Sequence, residues 1–357
     1  MSRVYCRLGV VLSLWAVAMG ASAQGSIPLG LPESERQDGW KAAELVGLGQ
    51  KLFFEKRLSV DGSISCASCH LPERRFTDGR PRANGLHGAR LTRHTPSLLN
   101  VGYAGALFWD GRVTGLENQV RSPLLAPAEH ALLEESAVAR IIRSTPEYVS
   151  AFSSLLGVSR EGISIREVGL AIAAYERTLT AGNSPFDRYQ YGGDPQAMTA
   201  AAVRGLNLFR GRAQCANCHT MGEKSALFTD GTFHTSPLPL GAGVVARLGN
   251  LAKRVTALRE RGEFDALNSL IESDPNVAAL GRFNATLDPK DIGSFKTPSL
   301  RNVTDTGPYM HDGSVETLGK AVDLELYSRA SQRYPLVITE DERSDLLQFL
   351  AALSSPN

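Results

Sequence analysis

Two five-residue segments carry the most specific chemistry in the chain. Cys66-Ala67-Ser68-Cys69-His70 and Cys215-Ala216-Asn217-Cys218-His219 both read C-x-x-C-H, the attachment pattern of a c-type haem. Two thiols three residues apart can add to the vinyl groups of one haem, and the adjacent histidine then meets the iron from one axial side. The pair of motifs calls for two covalent c-type haems, with His70 and His219 as proximal iron ligands. Zinc accounts for them less well, because a histidine directly after the second cysteine is poorly placed to complete the same tetrahedron. A thioredoxin-like redox motif would sit in a βαβ pattern, and none is evident.

The four motif cysteines leave one more, Cys6. It lies in a segment with Arg3 and Arg7, an apolar run from Leu8 to Met19, and Ala21-Ser22-Ala23 before Gln24. This is the layout of a cleaved signal peptide, residues 1–23, and the run is short for a membrane span. Removal of that segment takes Cys6 with it and points to the periplasm, an oxidising compartment. The full chain has 357 residues, 38 Lys+Arg against 37 Asp+Glu, and a formal charge of +1. That balance argues against a nucleic-acid partner, which would need a large basic surface. The length suggests two domains, with no membrane span in the mature chain.

The chain repeats itself. Thr95-Pro96-Ser97-Leu98-Leu99-Asn100-Val101 matches Thr297-Pro298-Ser299-Leu300-Arg301-Asn302-Val303, and Trp109-Asp110-Gly111 matches His311-Asp312-Gly313. Gly49-Gln50-Lys51-Leu52-Phe53 matches Gly205-Leu206-Asn207-Leu208-Phe209, and Leu116 and Val120 match Leu318 and Val322. The expected fold is mainly α, with two cytochrome c-like haem domains related by internal duplication, residues 24–185 and 186–357. From Cys66 to Thr95 is 29 residues and from Cys215 to Thr297 is 82, so copy two carries about 53 more, near 222–285. Within that insertion Val244, Leu248, Leu251, Val255 and Leu258 recur at helical steps, which predicts a basic amphipathic surface helix from Val244 to Arg261.

Elsewhere Ile165, Val168, Ile172, Tyr175 and Leu179 form one helical face, with Gly182 as its stop. Residues Glu340 to Leu353 predict a C-terminal helix with Thr339 as N-cap. No segment alternates as a strand would. Residues Asn183 to Tyr189 link the domains.

In this order, LFFEKRLSVDGSISCASCH, RHTPSLLN, FWDGR, the segment from Gln119 to Glu129, SPFDRY, FTDGTFH, FKTPSLRNV and PYMHDGS closely resemble the bacterial dihaem cytochrome c peroxidase family, including its MauG-like branch. The resemblance spans nearly the whole mature chain. It implies a tryptophan between the haems, here Trp109. It also implies Gln, Pro and Glu at +10, +14 and +20 from that residue, here Gln119, Pro123 and Glu129. It places Gln119 and Glu129 on the distal, peroxide-binding side of the N-terminal haem. A carboxylate there can carry a proton from one peroxide oxygen to the other, and Gln119 can orient the oxygens.

The resemblance also supplies candidates for the other axial positions. A loop histidine that caps the N-terminal haem before activation corresponds to His87, one residue out of register. The C-terminal haem takes Met or, in the MauG-like branch, Tyr. The matching position is Glu325, and Tyr327 in Tyr327-Ser328-Arg329 is favoured over Glu325 and Met310. An oxygen ligand would lower the potential relative to Met. His311 reads as structural, and His130 as a bystander to Glu129. Calcium between the domains is implied by the carbonyls of Thr306 and Pro308. His94, however, stands where the family has Asn, and a hard cation prefers oxygen to imidazole.

The function expected from the resemblance is reduction of hydrogen peroxide to water, with electrons from a small redox protein, a cytochrome c or cupredoxin. A homodimer is compatible with it. One alternative is a MauG-like enzyme that uses peroxide to oxidise a partner protein. Another is a dihaem electron-transfer cytochrome without peroxide turnover, against which Gln119 and Glu129 argue.

Overall fold

The computed structural model describes residues 27–33, 43–330 and 336–356, and the expected signal peptide lies outside them. The chain is mainly α-helical. The first unit contains α1 (Ala43–Phe53), α2 (Leu116–Gln119), α3 (Arg121–Leu125), α4 (Glu135–Arg143), α5 (Pro146–Leu156) and α6 (Ile165–Glu176). A short helix α7 (Pro185–Gln190) follows. The second unit contains α8 (Ala200–Arg210), α13 (Leu318–Arg329) and α14 (Glu340–Ala351). Inserted in it are α9 (Ala242–Glu260), α10 (Phe264–Ser273), α11 (Pro275–Ala278) and α12 (Phe283–Thr286).

The repeated glycines have a common cause. In the first unit α1 crosses α6, and a Cβ added at Gly49 would lie 1.8 Å from the Ala171 carbonyl oxygen. In the second α8 crosses α14, and a Cβ at Gly205 would lie 1.9 Å from the Asp345 carbonyl oxygen. Each crossing brings two helix backbones together where no side chain fits. Around the first crossing Leu45, Leu48, Leu52, Phe53, Val168, Ile172 and Tyr175 form one buried cluster. Around the second, Leu206, Phe209, Leu346, Phe349 and Leu350 pack with Phe186 and Phe228. Phe209, Phe228 and Phe349 meet edge to face, with centroids 5.0 to 6.3 Å apart, the arrangement that ring quadrupoles favour.

The Thr-Pro-Ser-Leu repeats are structural too. Asn100 and Asn302 both adopt the left-handed conformation, with φ of 62° and 57°. Asn100 accepts a hydrogen bond at Oδ1 from the Ala181 N–H, and Asn302 accepts one from the Ser355 N–H. Each asparagine thus ties its haem unit to the segment just after that unit's last helix. The Thr77 hydroxyl donates to the Thr95 carbonyl, and the Thr229 hydroxyl does the same to Thr297.

Copy two differs at Arg301, where copy one has Leu99. The buried Arg301 guanidinium meets both oxygens of buried Asp187 at 2.8 and 2.9 Å. It also donates to the carbonyls of Gly30 and Ala226. Asp187 in turn caps α7, accepting from the Ser184 N–H and hydroxyl. The expected link at Asn183 to Tyr189 is therefore a capped helix pinned by a buried, fully hydrogen-bonded ion pair.

Three local expectations need correction. Helix α6 ends at Glu176, before Leu179 and Gly182, because the Thr178 hydroxyl takes the Tyr175 carbonyl and Leu179 N–H turns back to Glu176. Leu179 is buried from that turn. The C-terminal helix starts at the Thr339 cap as expected but stops at Ala351. A small sheet exists as well: β1 (Phe233–Thr235) pairs antiparallel with β2 (Ser294–Lys296), too short for alternation to reveal it.

The insertion has its own small core, from Val244, Leu251 and Val255 of α9 to Leu267, Ile271, Val277 and Phe283. The apolar stripe on α9 faces that core, while its basic side is exposed.

Gly205→Ala should destabilise the protein although alanine favours helix by about 1 kcal/mol. The new Cβ would press on a backbone oxygen, and overpacking costs about 1–3 kcal/mol or more. Urea unfolding midpoints measure this. An unchanged or raised midpoint would show that the α8–α14 crossing is not the constraint inferred.

Candidate functional site

Each C-x-x-C-H motif begins a tight helical turn, Cys66–Ser68 and Cys215–Asn217, at the mouth of its helix crossing. The described cysteines form no disulfide. In copy one His70 Nδ1 lies 2.9 Å from the Phe76 carbonyl oxygen. In copy two His219 Nδ1 lies 2.9 Å from the Phe228 carbonyl oxygen. Both phenylalanines have positive φ, 59° and 53°, which turns their carbonyls toward the ring. With Nδ1–H held, the tautomer is fixed and Nε2 keeps its lone pair for a metal. Burial pushes the His70 pKa down, so the ring stays neutral. The donor set thus fits a haem at each motif: paired thiols outside any disulfide and one oriented, neutral imidazole.

Zinc is a poorer fit. Among the described residues one trio of metal-ligand type comes together, Cys218, Asp230 and His234. It uses one thiol of its pair and leaves out His219, so it is not a closed four-ligand site.

The two units meet through an exchange of backbone hydrogen bonds. The Lys296 N–H donates to the Trp109 carbonyl at 2.9 Å, and the His94 N–H donates to the His311 carbonyl at 3.0 Å. His94 and Lys296 are equivalent in the duplication, as are Trp109 and His311. Trp109 Nε1 also donates to the His94 carbonyl, at 2.9 Å. The structure therefore puts Trp109 at the junction of the units. Its counterpart His311 stacks on Phe295, ring centroids 3.8 Å apart. Burial, helped by Arg93 and Arg82, lowers the His311 pKa to about 3. The ring is thus neutral and packed within the protein.

Gln119 ends α2 half-buried, and Glu129 lies in the turn after α3, its N–H bonded to the Ala126 carbonyl. Glu129 is half-buried, and burial raises its pKa. It lies near enough to the first haem motif for its charge to be the main cause, after burial, that pushes the Cys69 thiol up; on Cys66 it acts weakly, behind burial and the charge of Glu176. In copy two Ala321 stands at the position of Gln119 and Ser314 at that of Arg112. His130 is buried with Nδ1 2.6 Å from the Leu58 carbonyl, a structural bond that fits its reading as a bystander.

Sequence reasoning missed the surroundings of Glu129. Fully buried Asp110 holds Arg112 through both its oxygens at 3.0 Å. Arg112 also donates to Asn268 of α10 at 2.9 Å and stacks over Phe108. Glu272, near the end of α10, is 6% exposed and lies 3.8 Å from Arg112. Its carboxyl is within hydrogen-bond reach of Glu129. Only the polar stripe Asp265, Asn268 and Glu272, at helical spacing opposite Leu267, Leu270 and Ile271, hints at this in the sequence.

Other candidates stand apart from this cluster. His87 is exposed on a turn, its Nδ1 3.7 Å from Asp61. Tyr327 is 80% exposed on α13, while Glu325 and Met310 are half-buried. Buried His94 directs Nδ1 to the Arg80 carbonyl at 2.8 Å, so this nitrogen is committed within the protein.

The chain belongs to the di-haem cytochrome c peroxidase family. The family model described as "Di-haem cytochrome c peroxidase" matches residues 43–196. Methylamine utilization protein MauG of Methylorubrum extorquens is 38% identical over 87% of this chain and 78% of its own. Cytochrome-c peroxidase IdrP1 of Pseudomonas sp. (strain SCT) is 34% identical over 98% of this chain and 92% of its own. A crystal structure of a MauG-like protein associated with microbial copper homeostasis superposes with a TM-score of 0.69. It covers 94% of this chain and 95% of that one at 29% identity. The family implies two c-type haems. Among the described residues no helix is long and apolar enough to cross a membrane.

Asp110→Ala should cost about 3–5 kcal/mol, because it leaves the Arg112 guanidinium buried without its counter-charge. Asp110→Asn should cost less. Denaturant unfolding of both variants measures this, and equal, small losses would show that the pair contributes little.

Proposed function

We propose that this protein is a periplasmic peroxidase that reduces hydrogen peroxide to water with electrons from a small redox protein. The observation that carries the reading is the half-buried Glu129 carboxyl, near enough to the first haem motif for its charge to act on both thiols, together with Arg112 and Gln119, which the second copy replaces with Ser314 and Ala321. On this reading residues 24–185 form the peroxide-reducing domain, with its haem on Cys66, Cys69 and His70. Residues 186–357 form the electron-receiving domain, with its haem on Cys215, Cys218 and His219. When bound, the haems supply redox-active iron that accepts and delivers electrons.

The protein's own part is to bind peroxide and move protons. Glu129 takes a proton at a carboxylate oxygen from the nearer peroxide oxygen and returns it to the farther one, which must leave as water. Gln119 holds the oxygens in line with its amide. The overall change, one peroxide with two electrons and two protons giving two waters, balances with an external donor of single electrons. Trp109, hydrogen-bonded into both units, offers an aromatic ring along the path between them.

A second reading is a MauG-like enzyme that turns the same peroxide chemistry on a partner protein. The 38% identity to the Methylorubrum extorquens protein favours it. Tyr327 or Glu325 at the second haem would also suit it, since an oxygen ligand lowers the potential. His87 as a displaceable ligand and a homodimer belong to both readings, while His94 in place of an oxygen ligand argues against calcium in either.

Peroxide consumption by the holoprotein, with a reduced cytochrome c or cupredoxin as donor, separates them. Sustained donor oxidation supports the peroxidase. A spectral response to peroxide without donor turnover supports the MauG-like reading, and no response in either redox state overturns both. Glu129→Gln should slow the response to peroxide by about 10²–10⁴-fold, the range for loss of a general acid–base. An unchanged rate would remove Glu129 from that role.

A further inference from the structure

The insertion does more than decorate the surface. Helix α10 is fastened to the first unit along one face. Asp265 pairs with Arg121, Asn268 bonds Arg112 and Ser122, and the Ile271 carbonyl accepts from the Thr92 hydroxyl at 2.7 Å. The next residue, Glu272, is thereby fixed against Glu129. Neither oxygen of Glu272 has a hydrogen-bond donor among the described residues. Two ionised carboxylates within reach of each other cannot satisfy one another, since both only accept.

We propose that Glu272 and Glu129 share one proton, so that the insertion places a proton-holding, positioning carboxyl directly behind the acid–base residue of the peroxide site. Charge supports it. The groups that face the pair are Arg112 and Asp110, with Arg93 3.7 Å beyond Asp110, Lys296 also acting on Asp110 and Asp312 acting on Arg93. Three cations against four carboxyls leave one negative charge. A single proton removes it. The proton resides on Glu272, whose pKa is raised well above the usual range by burial and by the charge of Glu129. Glu272 then donates to Glu129, which that bond helps to hold ionised. In the catalytic cycle Glu129 starts as a base ready to accept a proton, and Glu272 can pass it another. No electron moves in this step; a proton leaves one carboxyl oxygen and joins the other.

This rests on the reading of Glu129 as the acid–base group, but its test does not require turnover. Infrared difference spectra of the holoprotein between low and high pH should show carbonyl bands of two protonated, buried carboxylic acids surviving at neutral pH, Glu272 and Glu176, whose pKa burial raises to about 8. Glu272→Gln should abolish one band and Glu176→Gln the other. Glu129→Gln should retain the Glu272 band but move its titration to lower pH, because the neighbouring charge is gone. In the pH profile of the response to peroxide, Glu272→Gln should lose the alkaline limb and keep the acid limb. The amide mimics the protonated acid but cannot lose its proton. Spectra of the wild type and Glu272→Gln that match at neutral pH overturn the shared proton. If the Glu272 band behaves as expected while Glu129→Gln leaves the peroxide response unchanged, the proton pair stands and the peroxidase role of Glu129 falls.

Discussion

The organisation of this molecule depends on one pair of backbone hydrogen bonds, Lys296 N–H to the Trp109 carbonyl and His94 N–H to the His311 carbonyl. The donors are equivalent positions of a duplicated chain, and so are the acceptors. Each unit lends the residue just before its Thr-Pro-Ser segment to the other unit's Asp-Gly turn. Those segments bind back to the loops that follow the haem motifs, through Thr77 to Thr95 and Thr229 to Thr297. The same contact that joins the units therefore reaches both haem loops, and the Trp109 indole N–H reinforces it by bonding the His94 carbonyl.

A symmetric junction does not by itself divide labour, and the substitutions around it do. Where copy one has Trp109, copy two has His311, neutral and stacked on Phe295. Where copy one has Leu99, copy two has Arg301, which fastens α7 and the segment at Gly30. Where copy one has Arg112 and Gln119, copy two has Ser314 and Ala321. The first unit thus concentrates charged and polar groups, Asp110, Arg112, Gln119 and Glu129, in the segment that follows Trp109. The second concentrates groups that hold the chain together. Burial sharpens the contrast, because a carboxyl partly withdrawn from water, such as Glu129, responds to each neighbouring charge.

Much of this was legible in the sequence, for local reasons. The C-x-x-C-H motifs, the repeated glycines and the Thr-Pro-Ser-Leu segments are short-range patterns, each tied to one backbone geometry. The helical stripe on α9 and the Thr339 cap could be read in the same way. The end of α6 could not, because a threonine side chain closed the helix before its apolar period ran out. The short sheet offered too few residues for alternation to appear. Glu272 was hidden for a different reason. It lies far along the chain from Glu129, in a segment with no counterpart in copy one, and only the docking of α10 brings them together. The axial candidates Tyr327 and His87 stand exposed, so their roles depend on cofactor contacts that neither the sequence nor the protein's own packing specifies.

The insertion explains why such a cluster can persist in a folded protein. A largely buried group of ionisable side chains is costly unless each charge is answered. Arg112 is answered by Asp110 and Asn268, and Glu129 by Arg112 and Glu272. Without α10 the Glu129 carboxyl would lose Glu272, and Arg112 would lose Asn268. The second unit's extra segment, with a small core of its own, is thus packed on the first unit so that α10 completes the charged cluster around Arg112. Its docking face is polar because it must complete a charge arrangement, while its apolar face turns inward to hold that arrangement rigid.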